Sequence, residues 1–482
     1  MTPRSRPLNS SIYRSLFFFV VVFWIVTNGV CAQTERSNIK LTLSSAETIR
    51  IDIQSSRPIK SWSFLNSYGN SLNLGSRIHE FQARGVNGQI IPVRNVAPGE
   101  FRSDEAVNDV SFNVRLSAAD TNEPAHVSWL TSQNGLLMFA DLIPRDLDKS
   151  YLAEFSLPDR WDLETAVYQD ERHRFVIDDP MKAVFLIGRP LRTALKTVEG
   201  MSLEFVASGN WPFKEDRAAK SAAWLLKKYF ELTGFRLPKK SVVMIAPIPS
   251  ANSGVQWTAE TRGSTVILLF DSRAKFRNWI PQLEVIFTHE LFHLWVPNSL
   301  RLEGDYDWFF EGFTLYQALL TAQESKLISF QEYLDTLSRV YASYRSAADD
   351  LSLIEASEQR WTRSTSTVYD KGMLVAFIYD LMLREESRGK SGLSEKYHQL
   401  FKEYSAKEAN GNEAIMSLLN SSSSSGDFLR THVQNKKILN LEQSLARYGL
   451  MIDSNGSQTH LRVVENLNDA QFQLLKQLGY KR

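Results

Sequence analysis

From about Ile39 to Leu186, apolar positions alternate with polar ones or gather in short runs. IKLTL (39–43), IRIDIQ (49–54), VSFNVRLS (110–117) and GLLMFADL (135–142) are separated by Gly, Asn, Pro and Asp. Period-two patterning broken at short intervals by turn residues predicts strands packed as a β-sandwich-like domain. The rhythm changes near Arg192. AAKSAAWLLKKYFEL (218–232) carries apolar residues at helical spacing, and Gly234 follows as a stop. SVVMIAP (241–247) and STVILLF (264–270) predict strands, the second apolar enough to be buried on both faces. A helix is predicted from about Trp279 to Trp295, closed by Pro297, and from Asp307 onward the chain reads mostly helical. NSSSSSG (420–426) reads as a flexible linker or loop. The fold class expected is multidomain α+β. Its parts are a β domain over 33–190, a mixed α/β core over 191–385 and a helical region over 386–482.

Composition changes this picture little. The chain has 482 residues, 43% hydrophobic and 23% charged, with a formal net charge of +1. Those are ordinary values for a globular protein of several domains. No long basic block is present, so nucleic acid is not an expected partner. The N-terminus changes it more. Arg4, Arg6 and Arg14 lead into the apolar run LFFFVVVFWIV (16–26), which is short for a membrane span. The stretch Val30-Cys31-Ala32 ends in a small residue, which allows cleavage before Gln33. This pattern predicts a signal peptide over 1–32 and an exported, periplasmic or secreted protein, with an uncleaved membrane anchor as the lesser alternative. Once the signal peptide is cleaved, no stable membrane partner is expected. Cys31 is the only cysteine. A mature chain would have no disulfide, and a metal site in it must use His and carboxylate ligands.

The chemistry is concentrated in HELFH (289–293). On a helix, positions i and i+4 share a face, so His289 and His293 can hold one Zn²⁺ between them. Glu290 sits beside that face, where it can take a proton from a water whose pKa the metal lowers. Phe287, Leu291, Phe292, Leu294 and Trp295 make the helix apolar on several sides. Two buried His and a Glu in such a setting need polar partners or a metal. A third ligand is expected from WFFEGFT (308–314), where Glu311 lies in an apolar, helical context. Glu303, Asp305 and Asp307 sit in a polar, Gly-containing stretch and read as solvated.

THELFHLW (288–295) followed by WFFEGFT (308–314) resembles the glycyl aminopeptidase family of zinc peptidases. It is also similar to the wider gluzincin group that includes aminopeptidase N. The resemblance implies a thermolysin-like catalytic domain over 191–385, with one zinc per chain. VYDKGMLVAFIYDLMLR (368–384) resembles the family's Tyr-x-Lys-Gly helix opening, which implies that Tyr369 stabilises the oxyanion of the tetrahedral intermediate. WTAETRGSTV (257–266) stands where the family has a Gly-Gly-Leu-Glu-His segment. The register implies that Glu260 binds the substrate's free amino group. On the residues alone, Glu260 reads equally as a solvated loop acid. Trp257, Thr258, Ala259 and Thr261 replace both glycines and the His. The short stretch between His293 and Glu311 implies a trimmed active-site rim. The residues after LARYGLMID (445–453) are too few for the C-terminal PDZ domain of many members.

The expectation is an aminopeptidase-like zinc metallopeptidase acting on a peptide substrate. His289, His293 and Glu311 are its metal ligands, Glu290 and Tyr369 its catalytic groups, and Glu260 its substrate-binding acid. The alternative is a non-catalytic peptide-binding or scaffold protein on a metallopeptidase fold, suggested by the altered segment around Glu260.

Overall fold

STVILLF is apolar at every other position on both faces, and the fold uses both. In the computed structural model, strand Thr265–Phe270 points Val266, Leu268 and Phe270 into a helical core, while Ile267 and Leu269 enter a second core between two sheets. Period-two alternation makes one short strand a wall of two cores. The structure describes residues 36–481 apart from 119–122, 146, 250–255, 275–277, 348–349, 363–364 and 456–457. The predicted signal peptide, with Cys31, lies outside the described residues.

The N-terminal region is two packed sheets, as the alternation predicts. One has eight strands and is mainly antiparallel, although Ser37–Ser45 runs parallel to Tyr151–Ser156. The other has four, built on Asn134–Met138 and Val184–Gly188. Ile39, Leu41, Ile49, Ile51, Phe112 and Val114 bury the inner face of the first sheet against Leu137, Phe185 and Ile187 of the second. At about 1.5–3 kcal/mol for each large apolar side chain, that face is a substantial part of the stability of this region. Leu136, Met138, Val184 and Leu186 point the other way, onto Val206, Val242, Met244, Ile267 and Leu269. GLLMFADL is therefore only partly a strand: pairing ends at Met138, and Phe139–Asp141 form a tight helical turn.

A third sheet carries the site. Its five strands run in the order Arg192–Val198, Met201–Ala207, Ser241–Pro247, Thr265–Phe270, Trp257–Arg262, so Trp257–Arg262 is an edge. Helix α1 (Glu215–Thr233) ends where predicted, because Gly234 takes a left-handed conformation at φ +67°. Helices α2 (Trp279–Glu290), α3 (Thr314–Glu324), α4 (Phe330–Ala347), α5 (Leu353–Glu358) and α6 (Thr365–Glu386) follow. Among the described residues, no helix is long and apolar enough to cross a membrane.

Two expectations for the C-terminal part are corrected. NSSSSSG is not a linker throughout: Ser423–Leu429 is helical. The Ser422 side chain accepts from the Ser425 N–H, and Ser425 reciprocates, so serines act as caps rather than as loop. The helical region also contains a hairpin of Leu450–Asn455 and Gln458–Val463.

Candidate active site

The last turn of α2 and the tighter turn that follows it place the two histidines of HELFH together. The His289 and His293 rings are 4.4 Å apart between centroids, and their Nε2 atoms approach to 3.1 Å. The predicted helix reached Trp295, but regular α-helical bonding ends at Glu290 and the next residues wind more tightly. The Leu294 N–H donates to the Leu291 carbonyl and the Trp295 N–H to that of Phe292. The Asn298 amide and the Ser299 hydroxyl donate to the carbonyls of His293 and Leu294, which the tightened turn leaves open. The His293 Nδ1 lies 2.8 Å from the Val296 carbonyl. Donating there leaves Nε2 bare, as a metal-ligating imidazole requires.

Glu311 comes from a widened turn, Trp308–Phe313, that leads into α3. Such turns are common at functional sites because the extra residue re-aims a side chain. Glu311 Oε2 is 3.4 Å from His293 Nε2 and 3.7 Å from His289 Nε2. One donor atom from each of the three residues falls within 4.8 Å of the others. His289 Nδ1 is buried without a hydrogen-bond partner. Two bare imidazole nitrogens and a carboxylate oxygen converging in a buried space fit a divalent cation. The donor set is that of a catalytic zinc with one position left open.

Glu290 and Tyr369 flank this point. Glu290 is 7% exposed. Burial, offset in part by His293 and the Thr261 hydroxyl 3.0 Å away, pushes its carboxyl up to about 7. Burial, together with the charge of Glu311, pushes the Tyr369 phenol well above its ordinary value, so it stays a proton donor. Burial also raises Glu311, but His293 and Arg360 outweigh it and hold the carboxyl near 2. The backbones carrying Glu311 and Tyr369 touch. A Cβ added to Gly312 would sit 2.5 Å from the Gly372 Cα, so glycine is required on both sides of the crossing. This gives the glycine of Tyr-x-Lys-Gly a packing reason.

Beside the cluster of His289, His293 and Glu311, one residue went unseen in the sequence and another was misplaced there. Arg360, 8% exposed, donates to Glu311 Oε1 at 2.8 Å and to Asp307 Oδ1 at 2.6 Å, and also contacts the Tyr369 hydroxyl. Its stretch, EQRWTR (358–363), carries no motif, and only the Arg–Trp pair gives a sign of it: the guanidinium lies 4.3 Å from the centre of the Trp361 ring. Asp307, expected to be solvated, is 8% exposed because Arg360 pairs with it. Glu303 and Asp305 are exposed, as expected.

Glu260 lies on the edge strand rather than in a loop, and its carboxylate is not solvated. Oε1 accepts from the Tyr68 hydroxyl at 3.0 Å and from Arg262 Nε at 3.2 Å, and Oε2 is 2.7 Å from His126 Nε2. Arg262 also donates to the His126 carbonyl and lies 4.1 Å from the centre of the Tyr68 ring. Burial raises the Glu260 carboxyl, but His126, Arg262 and Tyr68 together hold it near 2. Burial lowers His126, and Glu260 more than reverses this, so the imidazole is raised above its ordinary value. Tyr68 and His126 belong to the N-terminal β region, and neither was a sequence candidate.

No family model matches the sequence, and no curated protein does. Solved structures do match. An aminopeptidase N family protein from Idiomarina loihiensis superposes with a TM-score of 0.72 at 19% identity, over 87% of this chain and 79% of its own. An M1 zinc metallopeptidase from Deinococcus radiodurans, solved with a Tyr-Ser-Ala substrate, gives 0.53 at 14% identity, over 85% and 95%. A two-domain M1 zinc metallopeptidase bound to L-arginine gives 0.51 at 13% identity over the same shares. The chain therefore has the mixed α+β, multidomain fold of the aminopeptidase N family and of M1 zinc metallopeptidases.

Proposed function

We propose that this protein is a zinc-dependent peptidase, aminopeptidase-like in its fold and catalytic set, that hydrolyses peptide bonds. The observation that carries this reading is the convergence of His289, His293 and Glu311 at one buried point flanked by Glu290 and Tyr369. The three ligand residues would hold the metal. Zinc supplies Lewis acidity there, lowering the pKa of water and polarising the scissile carbonyl. Glu290 takes the proton of the attacking water and returns it to the leaving amine. Tyr369 donates its phenol hydrogen to the carbonyl oxygen as negative charge grows on it. The phenol oxygen takes a hydrogen bond from Arg360, which leaves its own hydrogen to point at the substrate. The edge strand Trp257–Arg262 can receive a peptide lying alongside it in extended form. The peptide bound to the Deinococcus radiodurans protein supports that class of substrate.

The test is metal analysis and a peptidase assay, with Glu290→Gln as the control. Stoichiometric zinc with cleavage that depends on Glu290 supports the reading. Absence of zinc binding, or cleavage untouched by the substitution, overturns it. The basic flank and short apolar run of the first 32 residues support export of this enzyme. N-terminal sequencing of exported material checks that part separately.

A further inference from the structure

We propose that this site does not anchor a free amino terminus, and that the enzyme accepts N-blocked chains and internal peptide bonds as readily as free N-termini. The proposal rests on the peptidase reading and narrows its substrate class.

The argument is one of charge and occupancy. An acid that captures a substrate ammonium does so with negative charge and acceptor positions that other cations have not already taken up. Glu260 is the acid that the resemblance assigns to that role, and both of its oxygens are taken. Tyr68 and Arg262 share Oε1, and His126 holds Oε2. Arg262 cancels the carboxylate charge from a position only 5% exposed. An arriving ammonium would meet a carboxylate whose charge a guanidinium and an imidazole already offset. These partners are also fixed in place. Arg262 lies against the Tyr68 ring and donates to the His126 backbone, so the cluster ties the edge strand to two segments of the N-terminal β region. Displacing His126 would break a partly buried ion pair and leave its ring beside Arg262.

The other acids of the site are committed as well. Glu311 and Asp307 share Arg360. Glu123 lies 3.6 Å from His126 Nδ1 and accepts from the Asn70 amide. Of the acids named here, Glu290 alone lacks an ion-pair partner, and it is the proposed general base. The edge strand therefore offers a peptide backbone contacts and no ammonium trap, which fits recognition of extended chain rather than of a chain end.

The experiment compares matched tripeptide amides with a free or an acetylated N-terminus. Binding is measured by calorimetry on the zinc-loaded Glu290→Gln protein, and turnover on the wild type. Affinities and kcat/KM values for the two peptides should agree within about threefold. A preference for the free amine of about tenfold or more in either measurement overturns the proposal, as does binding of neither peptide. If the wild type cleaves neither peptide, the peptidase reading fails while the binding comparison still decides this one. His126→Ala provides a second arm. By uncovering Oε2 it should create a preference for the free amine of several-fold, about threefold or more. An unchanged ratio would overturn the role given to His126.

Discussion

Arg360 donates to one oxygen of Glu311 at 2.8 Å and leaves the other facing the two imidazoles. A carboxylate with one oxygen held in this way presents a single, aimed donor to a metal, and partners of this kind tune affinity as much as the ligands do. The same guanidinium reaches Asp307 and Tyr369, so it also fixes the distance between the proposed metal ligand and the proposed oxyanion donor. Lysine cannot reproduce that fork. Arg360→Lys should weaken zinc binding by about 10- to 100-fold, read by competition with a chromophoric chelator. With zinc in excess, kcat should still fall while KM stays nearly constant, because the misplaced Tyr369 acts only as charge develops. A fall in stability with unchanged zinc affinity and kcat would reduce Arg360 to a structural role.

Gly312→Ala tests the crossing of the Glu311 turn and α6. The added methyl would enter the Gly372 backbone, which cannot yield as the end of a flexible side chain can. The expected loss is about 1–3 kcal/mol in stability, measured by denaturant unfolding. A larger proportional loss of zinc affinity should accompany it, because the strain falls on the residue next to Glu311. Gly88→Ala is the contrasting control: nothing lies within 4 Å of its would-be Cβ, and only its positive φ is strained.

The site was legible where one element supplies the geometry. His289 lies in the last turn of α2 and His293 about one turn on, in the tighter turn that continues it, so spacing alone predicts that they converge. Glu311 and Tyr369 stood out through the motifs around them. The residues that complete the site arrive through long-range packing, on which local periodicity is silent. Tyr68 reaches Glu260 across 192 positions, and Arg262 reaches the His126 carbonyl across 136. Asp307 looked solvated because its partner, Arg360, is 53 positions away. Most N-terminal strands were legible because one face is buried, while Asn134–Met138 and Val184–Gly188, buried on both faces, show as short apolar runs. The serine run was misread because a residue that favours turns also makes a good helix cap.

Zinc should stabilise the fold as well as activate it. His289, His293 and Glu311 bring polar groups into a buried space where each gains a partner from a cation. At a free zinc concentration of about 100 times Kd, the bound state gains about 2.7 kcal/mol over the apoprotein. The melting midpoint should rise on adding zinc to chelator-treated protein and should become independent of zinc in His293→Ala. Zinc dependence that survives loss of His293 would place the metal elsewhere.

The pairing of His126 with Glu260 predicts a specific pH profile of stability. Glu260 is held near 2 in the fold, below its ordinary 4.5. Folding therefore favours its ionised form. The stability it contributes is present above 4.5 and drains away as pH falls toward 2. His126 is shifted the other way, above its ordinary 6.5, by Glu260 and Glu123 acting against burial and the charge of Arg262. Its contribution is complete below 6.5 and is lost as pH rises through the raised value. Both contributions hold together only between about pH 4.5 and 6.5. His126→Gln keeps a donor but cannot take a proton. The melting midpoint of this variant should fall furthest below the wild type within that window, and the gap should narrow as pH rises above it and the wild-type imidazole loses its proton. Thermal unfolding of both proteins at intervals from pH 4 to 9 measures the gap, and one that stays constant across the range would mean that folding does not shift the His126 pKa.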